Sequence, residues 1–401
     1  MTRKEFLQKT AILGLGAPLM STFLASCVED LFDADFEPTF SGRVLIIGAG
    51  SAGLHAGMVL KRWGIDFQIL EASERFGGRV MKTEALADFP IDLGAEWIHA
   101  NPRILSQIAG PESGASEQIE TIRYRPQSYY MWQDGELKKR DFIRHLYAEY
   151  KFKSTTWFDY LAQYVFPSVQ DQLVYQQAVS AIDYTGDQVR VSTQGGEEYT
   201  ADRVIVTVPL TQLHQNTIAF SPALPADKIE ALGQVTMPDG LKVFLRFSEP
   251  FYPDITFDGQ LSAFLGDAET GDKALYNAAY GKATNDHVLA LFAVGEPARE
   301  YVAQGSNDNI LDFLLREIDT KFDGAGSRYY QAHAVQNWSA QPFIQGSYAH
   351  YTDYDAQEVL GRPLEGKVYF AGEAYSTSDQ STVHGAALSA FQAVETILRG
   401  N

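Results

Sequence analysis

The chain is 401 residues long and 45% hydrophobic, enough for a sizeable core and, by length, for two or three domains. Its 32 basic and 51 acidic residues leave a net charge of −19, which argues against a nucleic-acid partner and favours solubility. The single cysteine, Cys27, excludes an intrachain disulfide, and the eight histidines lack zinc-ligand spacing, so no metal is expected.

From Met1 a short basic start (Arg3, Lys4) leads into a moderately apolar run, Ala11–Ala25, too short to span a bilayer and laid out like a signal peptide. It ends in Leu24-Ala25-Ser26-Cys27, which resembles the lipobox of bacterial lipoproteins. Residues 1–27 are therefore expected to be a signal peptide and lipobox, with a lipid anchor to a membrane at Cys27. Export to the periplasm or outer membrane follows, and Thr2-Arg3-Lys4-Glu5-Phe6-Leu7 resembles a twin-arginine signal. The acidic stretch 28–41 reads as a flexible tether.

Arg43–Gly48 is a short apolar run rich in β-branched residues, as in a buried parallel strand. It enters Gly48-Ala49-Gly50-Ser51-Ala52-Gly53, a helical pattern follows to Trp63, and Asp66–Leu70 forms a second strand ending at Glu71. Gly48 allows a tight turn, Gly50 lets backbone approach a pyrophosphate, and Gly53 lets the helix pack closely on the strand. The helix N-terminus would then face the phosphates and Glu71 the ribose diol. Strand, glycine turn, helix, strand and acid in this order predict a dinucleotide site. Further on, Glu71-Ala72-Ser73-Glu74-Arg75-Phe76-Gly77-Gly78-Arg79 resembles the second fingerprint of FAD enzymes of the glutathione-reductase type, in which Arg79 would offset the pyrophosphate charge.

At Asp92-Leu93-Gly94-Ala95-Glu96-Trp97-Ile98-His99 the sequence resembles the flavin-dependent amine oxidases, and Asn101-Pro102 brings it nearest the polyamine oxidase branch. The resemblance implies that the backbone of Gly94, Ala95, Glu96 and Trp97 runs along the flavin, with His99 near the substrate channel. It continues through Val179–Val191, a hairpin with Val179 against the adenine, and Asp202–Leu210. In Gly240-Leu241-Lys242-Val243-Phe244-Leu245-Arg246-Phe247 it implies that Lys242 is catalytic, reaching flavin N(5) through a water. By alternation Lys242 shares a strand face with Phe244 and Arg246; on that pattern alone it reads as a solvated edge charge. Near the C-terminus, Trp338, Gly346-Ser347-Tyr348, Gly372-Glu373 and Ser381-Thr382-Val383-His384-Gly385 match the family's last motifs, before a helix over Ala387–Leu398. Trp338, Gly372, Glu373, Thr382 and Val383 would contact the cofactor, and His99, Tyr348 and Thr382 the substrate. Monoamine oxidases link flavin to a cysteine where Ser347 stands, so the FAD is expected to be noncovalent.

The resemblance implies an α/β GR2-type fold: a doubly wound FAD-binding domain from 42–110, 174–215 and 340–401, with a mixed-sheet and helix substrate domain from 111–173 and 216–339. The aromatic and basic stretch within Gly110–Leu173 reads as a shortened helical lid. The implied reaction oxidises an amine C–N bond to an imine, with dioxygen taking the electrons to hydrogen peroxide. Two alternatives stand beside it. One is a desaturase or oxidase of the same fold acting on a non-amine, which would not need Lys242 or the Trp-Ile-His turn. The other is a lipid-anchored FAD-binding protein without amine chemistry, supported by the short lid. Oligomeric state is not legible.

Overall fold

The computed structural model describes residues 31–33, 35–126, 129–140, 149–258 and 271–400. Cys27 and the expected signal lie outside the described residues. The strand Arg43–Ile47 is central to a five-stranded sheet in the order Leu173–Val174, Asp66–Leu70, Arg43–Ile47, Arg203–Val206, Val368–Phe370, paired in parallel throughout. Its burial explains its composition: Val44, Leu45 and Ile46 are fully buried because both faces of the sheet are covered. On one face the helices Ser51–Arg62 and Val383–Leu398 pack together; on the other lies a four-stranded sheet that includes the predicted hairpin Val179–Asp183 and Val189–Thr193. This is the GR2-type α/β fold expected. The chain reverses its direction of strand addition between Arg43–Ile47 and Arg203–Val206, the place where such sheets open a ligand crevice.

A second, mixed sheet has seven strands: Tyr330–Asn337, Gly240–Phe247, His287–Val294, Asp272–Asn277, Ile255–Asp258, Tyr129–Gln133 and Glu136–Lys139. Alternation divides its residues. Leu241, Val243, Leu245 and Phe247 pack toward the helix Asn307–Lys321, whereas Phe244, Tyr276 and Ala290 face a separate cluster near the Asp92–Trp97 turn.

Two expectations are corrected. The described residues of the expected 28–41 tether, 31–33 and 35–41, are not free: Leu31 is fully buried, Phe32 meets Phe391 edge-on at 5.6 Å and Phe36 lies 5.1 Å from Trp63. Thr39 N–H donates to Leu398 O, so the segment is pinned to the last helix. Acidic composition suggested a solvated chain, but the interspersed aromatics decide the packing. Nor is the 111–173 stretch a purely helical lid. Thr121–Tyr124, Tyr129–Gln133, Glu136–Lys139 and Glu149–Phe152 are strands, and among the described residues the helical turns of this stretch include Ala115–Gln118 before them and Trp157–Tyr160 after them. The Asp134-Gly135 turn, with φ of 56° and 78°, closes a hairpin, a signal that favours strands over a lid helix. The C-terminal helix starts at Val383, one turn earlier than expected, because Thr382 caps it by accepting the Gly385 N–H.

Candidate active site

Along the C-terminal edge of the parallel sheet runs a cavity of ≈ 1780 Å³ that reaches the seven-stranded sheet. A single small ligand takes a pocket of roughly 300–1,000 Å³, so this cavity is large enough for a dinucleotide and a second molecule. The residues expected to be catalytic or to contact cofactor or substrate line it, except Ala49 and Gly53, which are buried. Ala49 N–H donates to Glu71 Oε2 at 2.7 Å and Gly77 N–H to Ala49 O at 2.8 Å, so the two fingerprints are tied together.

The dinucleotide end fits FAD on the structure's own terms. Gly50 has open space where a Cβ would project, as a wall approached by a phosphate requires. The helix Ser51–Arg62 has no side-chain cap, so the first-turn N–H groups of Ser51 and Ala52 are free to meet an anion. The Ser51 hydroxyl itself donates to Val383 O at 3.0 Å, joining the two helix starts. Glu71 Oε1 accepts from Ser73 N–H and hydroxyl, leaving capacity for a ribose hydroxyl. Arg79 pairs with Glu373 at 2.9 Å and donates to Ser347 O at 2.6 Å; Glu373 also accepts the Ala349 N–H. Val179 borders the same end. Gly372 N–H is fixed by the Ser389 hydroxyl at 2.8 Å.

At the far end Trp338 packs over Gly94, and its indole N–H donates to Leu93 O at 3.1 Å. Lys242 is 4% exposed and turns inward to the Asp92–Glu96 turn rather than to solvent. Its ammonium donates to Asp92 O at 3.0 Å, Gly94 O at 3.2 Å and Glu96 Oε2 at 2.7 Å. All three protons thus have protein acceptors, and a water would have to displace one, the Gly94 contact being longest.

Glu96 is the hub of a buried cluster. Tyr276 donates its hydroxyl to it, and Lys151, itself 1% exposed, lies 3.7 Å from its other oxygen. Burial alone would raise the Glu96 pKa, but Lys242 and Lys151 outweigh it and hold the carboxyl at about 2. Burial lowers Lys151 to about 8 against the pull of Glu96. Asp92 goes the other way: burial, then the neighbouring Glu96 charge, push it well above the usual carboxylate range, while its Oδ1 accepts the Trp157 N–H. Sequence reading assigned Glu96 only a backbone role and missed Lys151 and Tyr276, which enter from strands far away in the chain.

At the rim, His99 Nδ1 is 3.0 Å from Glu149, Thr382 donates to Asp379 O, and Tyr348 borders the cavity with burial raising its pKa. Asp272, also missed, lines the cavity with no hydrogen-bond or ionic partner among the described residues, and burial raises it to about 6 from 3.8. A folded-state pKa above the unfolded one means stability fully present below pH 3.8 and lost as pH rises through about 6. That loss is on the order of 2–3 kcal/mol. Asp272→Asn without amine should therefore melt higher than wild type at pH 8 and at the same temperature near pH 4. Equal melting at both pH values would contradict the unpartnered carboxylate.

The family model for flavin containing amine oxidoreductases matches residues 51–166 and 158–398. Probable polyamine oxidase 4 of Arabidopsis thaliana is 23% identical over 442 residues, 89% of this chain and 87% of that protein. Lysine-specific histone demethylase 2 of Homo sapiens is 24% identical over 473 residues, 97% of this chain and 56% of that one. The solved cyclohexylamine oxidase from Brevibacterium oxydans IH-35A shares the fold with a TM-score of 0.72 at 15% identity, over 90% of this chain and 99% of that one. Wild-type putrescine oxidase bound to putrescine gives 0.72 at 14%, with the same coverage.

Proposed function

The chain belongs to the flavin-containing amine oxidoreductase family, and from that premise we propose that it oxidises the C–N bond of an amine to an imine with noncovalent FAD and dioxygen. The observation that carries this reading is the joining of a dinucleotide cradle to the buried Lys242–Glu96 cluster in one cavity. When bound, FAD would supply the redox chemistry, a two-electron acceptor for the C–H beside the amine nitrogen that dioxygen can reoxidise with formation of hydrogen peroxide.

The chain's own residues do the rest. Gly50 and the N–H groups of Ser51 and Ala52 would hold the pyrophosphate, Glu71 the adenosine ribose, and Arg79 with Glu373 the middle of the cofactor. Lys242 fixes the carbonyls of Asp92 and Gly94, so the turn that would run beside the flavin is held at both ends of its bend. The apolar and aromatic wall of Trp97, Trp338 and Tyr348 excludes water and favours a neutral amine at the reacting carbon. No side chain on this wall need act as a strong base. Serine at position 347, whose hydroxyl donates to Pro238 O at 2.9 Å, supports noncovalent attachment.

The test is anaerobic mixing of the purified yellow protein with primary, secondary and polycationic amines, and with non-amine polyenes. Amines should bleach the flavin, air should restore it with release of peroxide, and acid should release all the flavin from the precipitate. Bleaching by a non-amine alone would favour the desaturase-type alternative, and flavin retained on the pellet would contradict noncovalent binding.

A further inference from the structure

Resting on that amine oxidase reading, we propose that Asp92, a bound water and Glu96 form a proton path from solvent at Lys282 to the flavin cavity, supplying the proton that peroxide formation takes up. The stoichiometry requires one. A neutral amine that loses a hydride equivalent becomes an iminium ion, so its carbon gives up two electrons and one proton. Dioxygen takes two electrons and two protons to become hydrogen peroxide. Amine, dioxygen and one further proton therefore give iminium and peroxide. The apolar wall of Trp97, Trp338 and Tyr348 that keeps water from the reacting carbon also keeps water from bringing that proton.

Glu96 is placed to pass it. It lines the flavin cavity and also a second, small cavity of ≈ 10 Å³, about the room that one water needs. Asp92, Lys151 and Lys282 line the small cavity with it, and each has bonding capacity left. Glu96 Oε2 accepts from Lys242 and Tyr276, but Oε1 has only Lys151 at 3.7 Å, beyond hydrogen-bond reach. Asp92 Oδ1 takes the Trp157 N–H, and Oδ2 has no partner among the described residues. Lys151 donates one proton to Ala278 O at 2.9 Å and keeps two. Lys282 donates to Phe152 O at 3.1 Å and Lys153 O at 3.2 Å and keeps one. A water there meets acceptors and donors on both sides, as buried waters do.

The path also has a direction. Lys282 is half-buried at its outer end, whereas Asp92, Glu96 and Lys151 are 6%, 8% and 1% exposed. Burial, then the Glu96 charge beside it, keeps a proton on Asp92. Glu96 stays ionised in spite of burial because Lys242 and Lys151 face it. A protonated donor thus faces an ionised acceptor across one water. A proton passes from Asp92 through the water to Glu96, and from Glu96 past Lys242 and Tyr276 to the cavity, one O–H bond breaking for each that forms. Asp92 is reloaded from solvent at Lys282, and Lys151 holds the water in place.

The experiment reduces the FAD-loaded protein with dithionite, removes the excess and mixes it with dioxygen in water and in deuterium oxide, so that no amine is involved. Asp92→Asn keeps an acceptor for the Trp157 N–H but cannot carry a proton. It should reoxidise about a hundredfold more slowly, with a larger solvent isotope effect, and small weak acids such as formic acid should restore the rate. Lys282→Met, at the half-buried outer end, should show the same three signs and keeps the test open if Asp92→Asn does not fold. Infrared spectra of the resting protein give a readout without turnover. A carboxylic acid band should be present in wild type, absent from Asp92→Asn and shifted by deuterium oxide in the folded protein. Wild-type reoxidation in both variants overturns the path. So does slowing that weak acids do not rescue and deuterium oxide does not deepen, which marks Asp92 as structural, and so does a band that exchanges only on unfolding. Each of these leaves amine oxidation standing. Failure of every amine to bleach the wild-type flavin overturns that reading instead, and failure of dioxygen to reoxidise wild type overturns both.

Discussion

Replacing Gly53 with alanine should abolish FAD binding and destabilise the chain by more than about 4 kcal/mol, an effect reserved for severe steric change. A Cβ there would come within 1.9 Å of Gly48 O and 3.0 Å of Gly48 C, both backbone atoms with little room to move. The helix Ser51–Arg62, buried from Ser51 to Leu60, would have to lift from the Arg43–Ile47 strand, carrying its free N–H groups out of place. Gly50→Ala supplies the contrast. Gly50 has φ −74°, which alanine adopts readily, and no atom within 4 Å of an added Cβ. It should fold with nearly wild-type stability but bind FAD more weakly, since the methyl enters the space needed by the phosphates. Melting temperature and flavin content of both variants check this. A stable, yellow Gly53→Ala protein would mean that the close helix–strand approach is not required.

That contrast shows which parts were legible from sequence. Gly48, Gly50, Gly53 and Glu71 act within one strand–helix–strand unit, so their spacing along the chain is their spacing in the fold. The same holds for Thr382, although its role as a cap shifts the helix start by a turn. What was hidden depends on contacts between distant segments. Lys242 looks like an edge charge because Asp92 and Gly94, whose carbonyls it binds, lie about 150 positions earlier. Asp272 is one acid among 51 acidic residues until sheet register puts it on Lys242's face. The segment 31–41 failed for another reason: composition was weighed above the positions of Leu31, Phe32 and Phe36, and those three anchor it.

Lys242→Met should slow flavin reduction by amine about a hundred- to a thousandfold and also destabilise the protein, and the two effects should separate. The destabilisation arises because methionine leaves Glu96 buried without its 2.7 Å partner, and breaking a buried pair from one side costs about 3–5 kcal/mol. Lys151 at 3.7 Å offsets part of this, so the lower end of that range is expected. The rate loss has a different origin: the positive charge beside the Asp92–Gly94 carbonyls disappears, and each ~1.4 kcal/mol of barrier is a tenfold change. Adding Glu96→Gln removes the stranded carboxylate. The double variant Lys242→Met/Glu96→Gln should therefore melt higher than Lys242→Met alone yet remain as slow, giving a large coupling energy in stability and a small one in rate. Glu96→Gln alone should be destabilised, because Lys242 and Lys151 then share a buried site with no anion between them. Stopped-flow reduction and reoxidation, timed separately, give the rate arm, and thermal melting the stability arm. Recovery of both stability and rate in the double variant would mean that Lys242 serves only to neutralise Glu96. Recovery of stability alone leaves its charge as the part that acts on the flavin.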